Sequence, residues 1–378
     1  MIQRLLLDKI HRQCFKKKVI ILLGQRQVGK TTLLQELNRQ LNVPSIWLNA
    51  DEADIRNELT EAKTSTQLLN YFGKQTKLVI IDEAQQIPDI GRKLKLIYDS
   101  KSDIQVIATG SSSFDLQDET NEALTGRKAE FYLYPISFQE LVGYTSLMEE
   151  KRLLNTRLVY GTYPEVINKP GEEANTLFEI GNSYLYKDVL KYEGIRKSSV
   201  IEKLLQAIAY QIGREVSYSE LASTVGIDKI TVEKYLDIFE KAFIIFKLPA
   251  FNRNYRNEIK KGKKYYFYDN GLRNMVINNY APISMRPDKG ALWENYIISE
   301  RIKYLEYNNI HFNKYFWRTK DQAEIDYLEE GDGIIHAYEI KWKVEKARFP
   351  VSFIQTYPNH RLLTLNTAQY IDFISSTS

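Results

Sequence analysis

Short apolar runs alternate with amphipathic segments from the start of the chain to about residue 140, and the pattern then changes character. Val19–Leu23, Ser45–Asn49, Leu78–Ile81, Ile104–Thr109 and Glu130–Tyr134 have the length and composition of strands. Apolar positions at helical spacing lie between them, as in Thr31–Leu41 and Arg92–Asp99. Strand–helix alternation of this kind predicts βαβ units and a parallel sheet. From about 136 to 195 the pattern is helical, broken at Gly161–Pro164. Residues 198–280 carry three helical patterns, a β-like run and a basic, polar hairpin. A loop with turn signals, Ala281–Gly290, leads into a final block that opens with a helix, Ala291–Tyr307. Strands follow around Tyr315–Trp317, Glu324–Leu328 and Ile334–Trp342, with a turn at Glu329–Gly333. No internal repeat or low-complexity segment interrupts this order.

A length of 378 residues points to two or three domains. Hydrophobic residues at 43% and charged residues at 26% describe an ordinary soluble chain. The net charge of +4 neither demands nor excludes a nucleic-acid partner, so the local distribution of charge decides. The single cysteine, Cys14, excludes an internal disulfide and a thiolate-cluster metal site, and fits a reduced compartment. Met1–Ile10 is amphipathic with scattered charges and lacks a signal-peptide core. The longest apolar run, Val19–Gly24, is far too short to cross a bilayer. The expectation is a cytoplasmic protein without a membrane partner.

The strongest chemical signal is Gly24-Gln25-Arg26-Gln27-Val28-Gly29-Lys30-Thr31, followed by Thr32. Its glycines let backbone N–H groups turn inward around phosphates, Lys30 supplies a cation for the β and γ oxygens, and the Thr31 hydroxyl can ligate Mg²⁺. An apolar strand precedes the loop, and a helix pattern follows whose positive N-terminus faces the anion. ATP and Mg²⁺ are therefore the expected cofactors. A second element agrees: Lys77-Leu-Val-Ile-Ile-Asp82-Glu83 is a buried-type strand ending in two carboxylates. Asp82 would join the magnesium shell, and Glu83 would orient and deprotonate the attacking water. The next strand ends in Thr109-Gly110-Ser111, where Thr109 or Ser111 could sense the γ-phosphate or simply form a serine-rich turn.

On these residues the chain resembles the AAA+ ATPases. The resemblance implies an arginine just before the fifth strand that reaches a neighbouring subunit's nucleotide, and Arg127 holds that position. It also implies a helical lid, in which Arg152 and Arg157 could serve as a second sensor.

Further along, Val216–Gly226 and Ile227–Tyr235 read as helix, glycine turn, helix, with Ser217 and Asp228 as N-caps. Leu221, Ala222 and Val225 share one face, as do Ile230, Val232, Tyr235, Leu236 and Phe239. After the strand Phe243–Leu248, Arg253, Arg256, Lys260, Lys261, Lys263 and Lys264 crowd a short segment opposed only by Glu258. A basic hairpin beside a helix-turn-helix reads as a winged helix whose wing lies on DNA phosphates; a winged helix used for protein packing is the alternative.

In the last block, alternation in Tyr338–Trp342 places Glu339 and Lys341 on one strand face, and Ala323–Tyr327 does the same for Glu324 and Asp326. A carboxylate followed by Glu-x-Lys is the pattern of the restriction-endonuclease-like, PD-(D/E)XK, nucleases. Asp326 and Glu339 would hold Mg²⁺ there, Lys341 would polarise the water, and Glu294 on the preceding helix could complete the metal site. Ile325 stands where that pattern usually has proline.

The whole chain resembles a bacterial and archaeal family of AAA+ ATPases that joins such a domain to a winged helix and a nuclease-like C-terminal domain. Thr109-Gly-Ser-Ser, Leu133–Leu141, Gly161-Thr-Tyr-Pro-Glu165, Tyr268-Asp-Asn-Gly-Leu272 and Phe316-Trp-Arg-Thr carry the likeness. The implied fold class is α/β: an ATPase core over 1–140, a lid over 141–197, a winged helix over 198–280 and an α/β nuclease-like domain over 286–378. The implied function is an ATP-dependent motor that translocates on or remodels duplex or branched DNA, as in helicase action or Holliday-junction branch migration. Its copies would assemble as a ring with nucleotide between neighbours. A regulatory or defence switch and an ATP-gated nuclease are the competing readings.

Overall fold

Val19–Leu23 (β1), Ser45–Asn49 (β2), Leu78–Asp82 (β3), Gln105–Gly110 (β4) and Lys128–Tyr132 (β5) form one sheet in the order β2-β3-β4-β1-β5. Every pairing in it is parallel. Residues of β1, β3 and β4 are buried along their whole length, as expected for central strands covered on both faces. The flanking helices include Leu5–Gln13, Lys30–Leu41, Ile90–Asp99 and Asp115–Ala123. The βαβ reading therefore holds, with small shifts of boundary. β3 runs on to Asp82, and β5 spans Lys128–Tyr132 because its register on β1 runs from Val19↔Lys128 to Leu23↔Tyr132.

The computed structural model describes residues 2–111, 115–190, 198–252, 262–345 and 347–376. It divides into two units, Met1–Tyr134 with Lys241–Phe243, and Pro135–Glu240 with Ile244–Ser378. Within the first, Phe243 meets Tyr132 edge to face at 5.9 Å between ring centroids.

The second unit begins with short helices, among them Phe138–Tyr144, Leu154–Tyr160 and Pro164–Asn168, and the longer Glu173–Leu190. Three more helices follow, Ser198–Tyr210, Tyr218–Val225 and Lys229–Lys241. As expected, the Ser217 hydroxyl accepts from Glu220 N, and Asp228 Oδ1 accepts from Thr231 N at 2.9 Å. Gly226 closes the first helix of the pair in the left-handed region, at φ +78°. One helix-face assignment changes: Ile230 is 80% exposed, and the buried set is Val232, Tyr235, Leu236, Ile238 and Phe239. Glu215–Val216 (β6), Ile245–Pro249 (β7) and Lys263–Phe267 (β8) form an antiparallel sheet in the order β6-β8-β7.

Asn313–Arg318 (β9), Glu324–Gly331 (β10), Ile334–Ile340 (β11) and His360–Leu365 (β12) make a mixed sheet ordered β12-β11-β10-β9. Its first three strands are antiparallel and β12 joins β11 in parallel, a strand with no counterpart in the sequence reading. The turn expected at Glu329–Gly333 is only Asp332-Gly333, both at positive φ, which lets β10 run on to Gly331. Glu329 is consequently buried, where Arg301 Nε and Nη2 each reach it at 2.7 Å. A parallel bridge between Ala250 and Phe316, with Phe251 N on Phe316 O at 2.7 Å, ties the chain beyond β7 to β9. Phe251 then packs with Trp317, Ile325, Leu328, Phe353 and Tyr357 in the core beneath this sheet. No helix among the described residues is long and apolar enough to cross a membrane.

The strings Gly161-Thr-Tyr-Pro and Tyr268-Asp-Asn-Gly meet in the second unit. Asp269 Oδ2 accepts from Thr162 N at 2.7 Å, Oδ1 accepts from Leu272 N at 3.0 Å, and Asn270 Nδ2 donates to Leu292 O at 3.0 Å. Burial raises the Asp269 pKa, while Lys303 and the backbone donors oppose that rise. Gly161 has φ +69°, and a Cβ there would come within 2.0 Å of Asp269 Oδ1. Gly161→Ala should destabilise this unit by about 2 kcal/mol or more, read as a lower urea midpoint at unchanged slope.

Candidate functional site

Gly24 leaves β1 at a point where a Cβ would approach Leu133 O to 2.2 Å, so only glycine allows the chain to turn there. Gly29, at φ +93°, ends the loop in the left-handed region, and the helix Lys30–Leu41 starts directly after it. The Lys30 ammonium is buried and donates to Gly24 O and Gln25 O, each at 2.8 Å. Gln25 and Val28 are buried, Gly29 and Arg26 half-buried, and Gln27, Thr31 and Thr32 exposed at the mouth of the loop. The side chain of Gln25 donates to Phe243 O.

The parallel register brings the strand ends to this loop. Ile81 pairs with Ala108 and Leu22 with Thr109, so Asp82, Thr109 and the loop share one sheet edge. Thr31 Oγ1 donates to Asp82 Oδ2 at 3.0 Å, and Thr109 Oγ1 donates to Asp82 Oδ1. Thr109 also accepts from Glu83 N at 3.2 Å. Glu83 has φ +51°, unfavourable for a residue with a side chain, and Gln85 Nε2 at 2.5 Å and Ser111 Oγ at 3.2 Å hold its carboxylate. Two participants escaped the sequence reading. Gln85 lies only two positions past Glu83 but carries no motif signal of its own. Arg4 donates to Val28 O at 2.7 Å and to Tyr134 O at 2.6 Å, tying the loop to the chain just beyond β5.

Arg127 lies at the other sheet edge. Its carbonyl accepts from Val19 N, at the start of β1, whereas the loop follows the end of that strand. Its guanidinium pairs with Asp99 at 3.3 Å and lies 5.8 Å from the Tyr98 ring centroid. It therefore does not reach the loop of its own chain. The candidate second sensors are engaged in the second unit, Arg157 in a buried two-bond pair with Glu150 and Arg152 with Glu149 at 2.7 Å.

The C-terminal residues singled out in the sequence also converge, with additions. Lys341 Nζ is 2.7 Å from Glu339 Oε2 and 3.6 Å from Asp326 Oδ2, and Asp326 Oδ2 accepts from Ile340 N at 2.8 Å. Glu294 accepts from Tyr266 OH at 2.6 Å and lies 3.7 Å from Lys264 Nζ, which also pairs with Glu324. Burial first, and the neighbouring Asp326 carboxylate in both cases, raise the pKa of Glu294 and of Glu339. Burial lowers the Lys264 pKa, but Glu294, Glu324 and Asp326 outweigh it and the net shift is upward. Among the described residues no group of three or more His, Cys, Asp or Glu is disposed to hold a metal ion.

One expectation about the basic segment needs correction. Lys264, assigned to DNA phosphates, is 1% exposed and committed to carboxylates, because alternation along β8 turns it inward with Tyr266. Lys263 points the other way and contacts Tyr218 OH at 3.1 Å, with Glu233 at 3.9 Å. Arg253, Arg256, Lys260 and Lys261 lie outside the described residues.

Residues 16–142 match a family described as an AAA domain. The first unit has the P-loop AAA+ fold. Residues 151–282 and 289–372 match two families described as domains of unknown function, DUF8612 and DUF4143. An uncharacterized protein of Mycobacterium tuberculosis is 26% identical over 339 residues, covering 88% of this chain and 72% of its own length. One from Haemophilus influenzae is 25% identical over 353 residues, covering 85% and 82%. Among solved structures, the Thermotoga maritima RuvB Holliday junction branch migration motor matches 68% of this chain and 95% of its own, at 16% identity and a TM-score of 0.33.

The AAA+ loop geometry yields a test of Arg4. Arg4→Ala removes a charged donor from two buried carbonyls, and nucleotide affinity measured by fluorescent-analogue titration should fall about tenfold.

Proposed function

We propose that this chain binds ATP with Mg²⁺ at Gly24–Thr32, hydrolyses it, and uses the cycle to drive a DNA-directed motor. The observation that carries the hydrolysis reading is the Thr109 hydroxyl, which binds the Asp82 carboxylate and the Glu83 N–H together. That contact sets the two acids for different tasks. Lys30 and the loop N–H groups would hold the phosphates, and Thr31 and Asp82 would hold Mg²⁺. The ion would neutralise phosphate charge. Glu83, its carboxylate oriented by Gln85 and Ser111, would position a water and take its proton. Arg127 serves the nucleotide of a neighbouring copy in this reading, which makes a ring or partial ring the working form.

The DNA part of the reading is supported by the helix-turn-helix, the β6-β8-β7 sheet and the basic residues that the sequence carries between β7 and β8, which we read together as a winged helix. A second reading, an ATP-controlled switch that binds protein, has its own support. The exposed positions of the helix Lys229–Lys241 are Lys229, Ile230, Glu233, Lys234 and Asp237, whose charges balance and offer little to a phosphate backbone.

An ATPase assay against single-stranded, duplex, forked and four-way DNA, with solution mass measured in parallel, separates the two readings. The motor reading expects salt-sensitive stimulation by DNA; turnover indifferent to DNA, with a nucleotide-dependent change in mass, favours the switch. In both cases Lys30→Ala should lose nucleotide binding. Glu83→Gln should keep binding while turnover falls about a hundredfold or more. A Glu83→Gln protein that turns over like the parent would remove Glu83 from the chemistry.

A further inference from the structure

We infer that Lys264 is the resident cation of the C-terminal carboxylate cluster, and that this cluster is closed to divalent metal ions. The nuclease-like reading requires Glu294, Asp326 and Glu339 to present free oxygen atoms to Mg²⁺. A hard divalent cation needs several such oxygens converging at about 2.0–2.6 Å. One oxygen of each of these carboxylates faces a protein donor instead, and two lysine ammonium groups stand among them. Glu294 Oε1 faces Tyr266 OH and the Lys264 ammonium. Glu324 is divided between Lys264 and Arg318, the latter at 3.5 Å. Asp326 Oδ2 takes the Ile340 N–H and Lys341, and Glu339 Oε2 takes Lys341.

The ammonium of Lys264 is not a surface side chain that swings aside. β8 is the middle strand of its sheet, and Lys264 pairs with Leu248 on one side and Glu215 on the other. Beyond β7, the Ala250–Phe316 bridge fixes the chain beside β9, and Lys264 Nζ lies 5.2 Å from the Phe316 ring centroid. The backbone register therefore delivers a positive charge to the place where the carboxylates converge. A tethered ammonium answers their repulsion without an ion, and ties the three-stranded sheet to the helix Lys289–Tyr307 and to β10. The ATP-gated nuclease reading loses its metal in consequence. The inference stands apart from the nucleotide site, which shares none of these residues.

The test measures Mn²⁺ bound to the nucleotide-free full chain by electron paramagnetic resonance, in an Asp82→Asn background that removes the other candidate ion site. The expected result is no stoichiometric Mn²⁺ with Lys264 in place. Lys264→Met should gain one bound Mn²⁺, lost again on adding Glu339→Gln. Lys264→Gln, which keeps a polar side chain, serves as the second variant should Lys264→Met fail to fold by circular dichroism. Mn²⁺ bound with Lys264 present and abolished by Glu339→Gln would overturn the inference. So would folded Lys264→Met or Lys264→Gln chains that gain none.

Discussion

Lys30 and Lys264 are both buried ammonium groups, and the oxygens that receive them explain much of how this chain is arranged. Taking such a charge out of water costs several kcal/mol, so the fold must supply oxygen atoms at the right place. Lys30 is met by two backbone carbonyls of its own loop, which are dipoles and carry no net charge. Lys264 is met by carboxylates that need a cation as much as it needs an anion. In the proposed nucleotide-bound form Lys30 would trade carbonyl oxygens for phosphate oxygens, whereas Lys264 is held by carboxylates. Arg301 with Glu329 and Arg157 with Glu150 follow the same rule in two-bond form, the first joining a helix to a strand 28 positions on, the second two consecutive short helices.

At the nucleotide site the sheet supplies the alignment. Parallel strands in the order β3-β4-β1 must end at one edge, and their register places the Asp82 carboxylate beside the Thr109 hydroxyl and the glycine turn. The loop is then held from outside by Arg4, and Glu83 is kept in an unfavourable backbone conformation by partners on either side. Strain of that kind persists only where surrounding contacts over-determine it.

In the second unit the recognisable strings have a packing explanation. Gly161 is required because Asp269 lies where a side chain would go, and Asp269 is there to receive Thr162 N and Leu272 N. Asn270 and Asn274 satisfy the carbonyls of Leu158 and Val159 around the same point. These residues close a buried corner in which every backbone polar group named has a partner.

Local pattern alone determined the five parallel strands, the phosphate loop, the acids Asp82 and Glu83, and the helix-turn-helix caps. Each of these depends on neighbours within a few positions: a continuous apolar run, glycines at fixed offsets, a side chain that caps its own helix. Tertiary structure decided what depends on register and burial. Arg4 and Gln85 enter the nucleotide site through contacts that no spacing rule encodes. Glu329 belongs to a strand because Arg301, 28 positions away, neutralises it there. Lys264 reads in sequence as one more member of a basic run, yet a strand's alternation turns adjacent lysines to opposite faces, and only the fold showed that carboxylates wait on one of them.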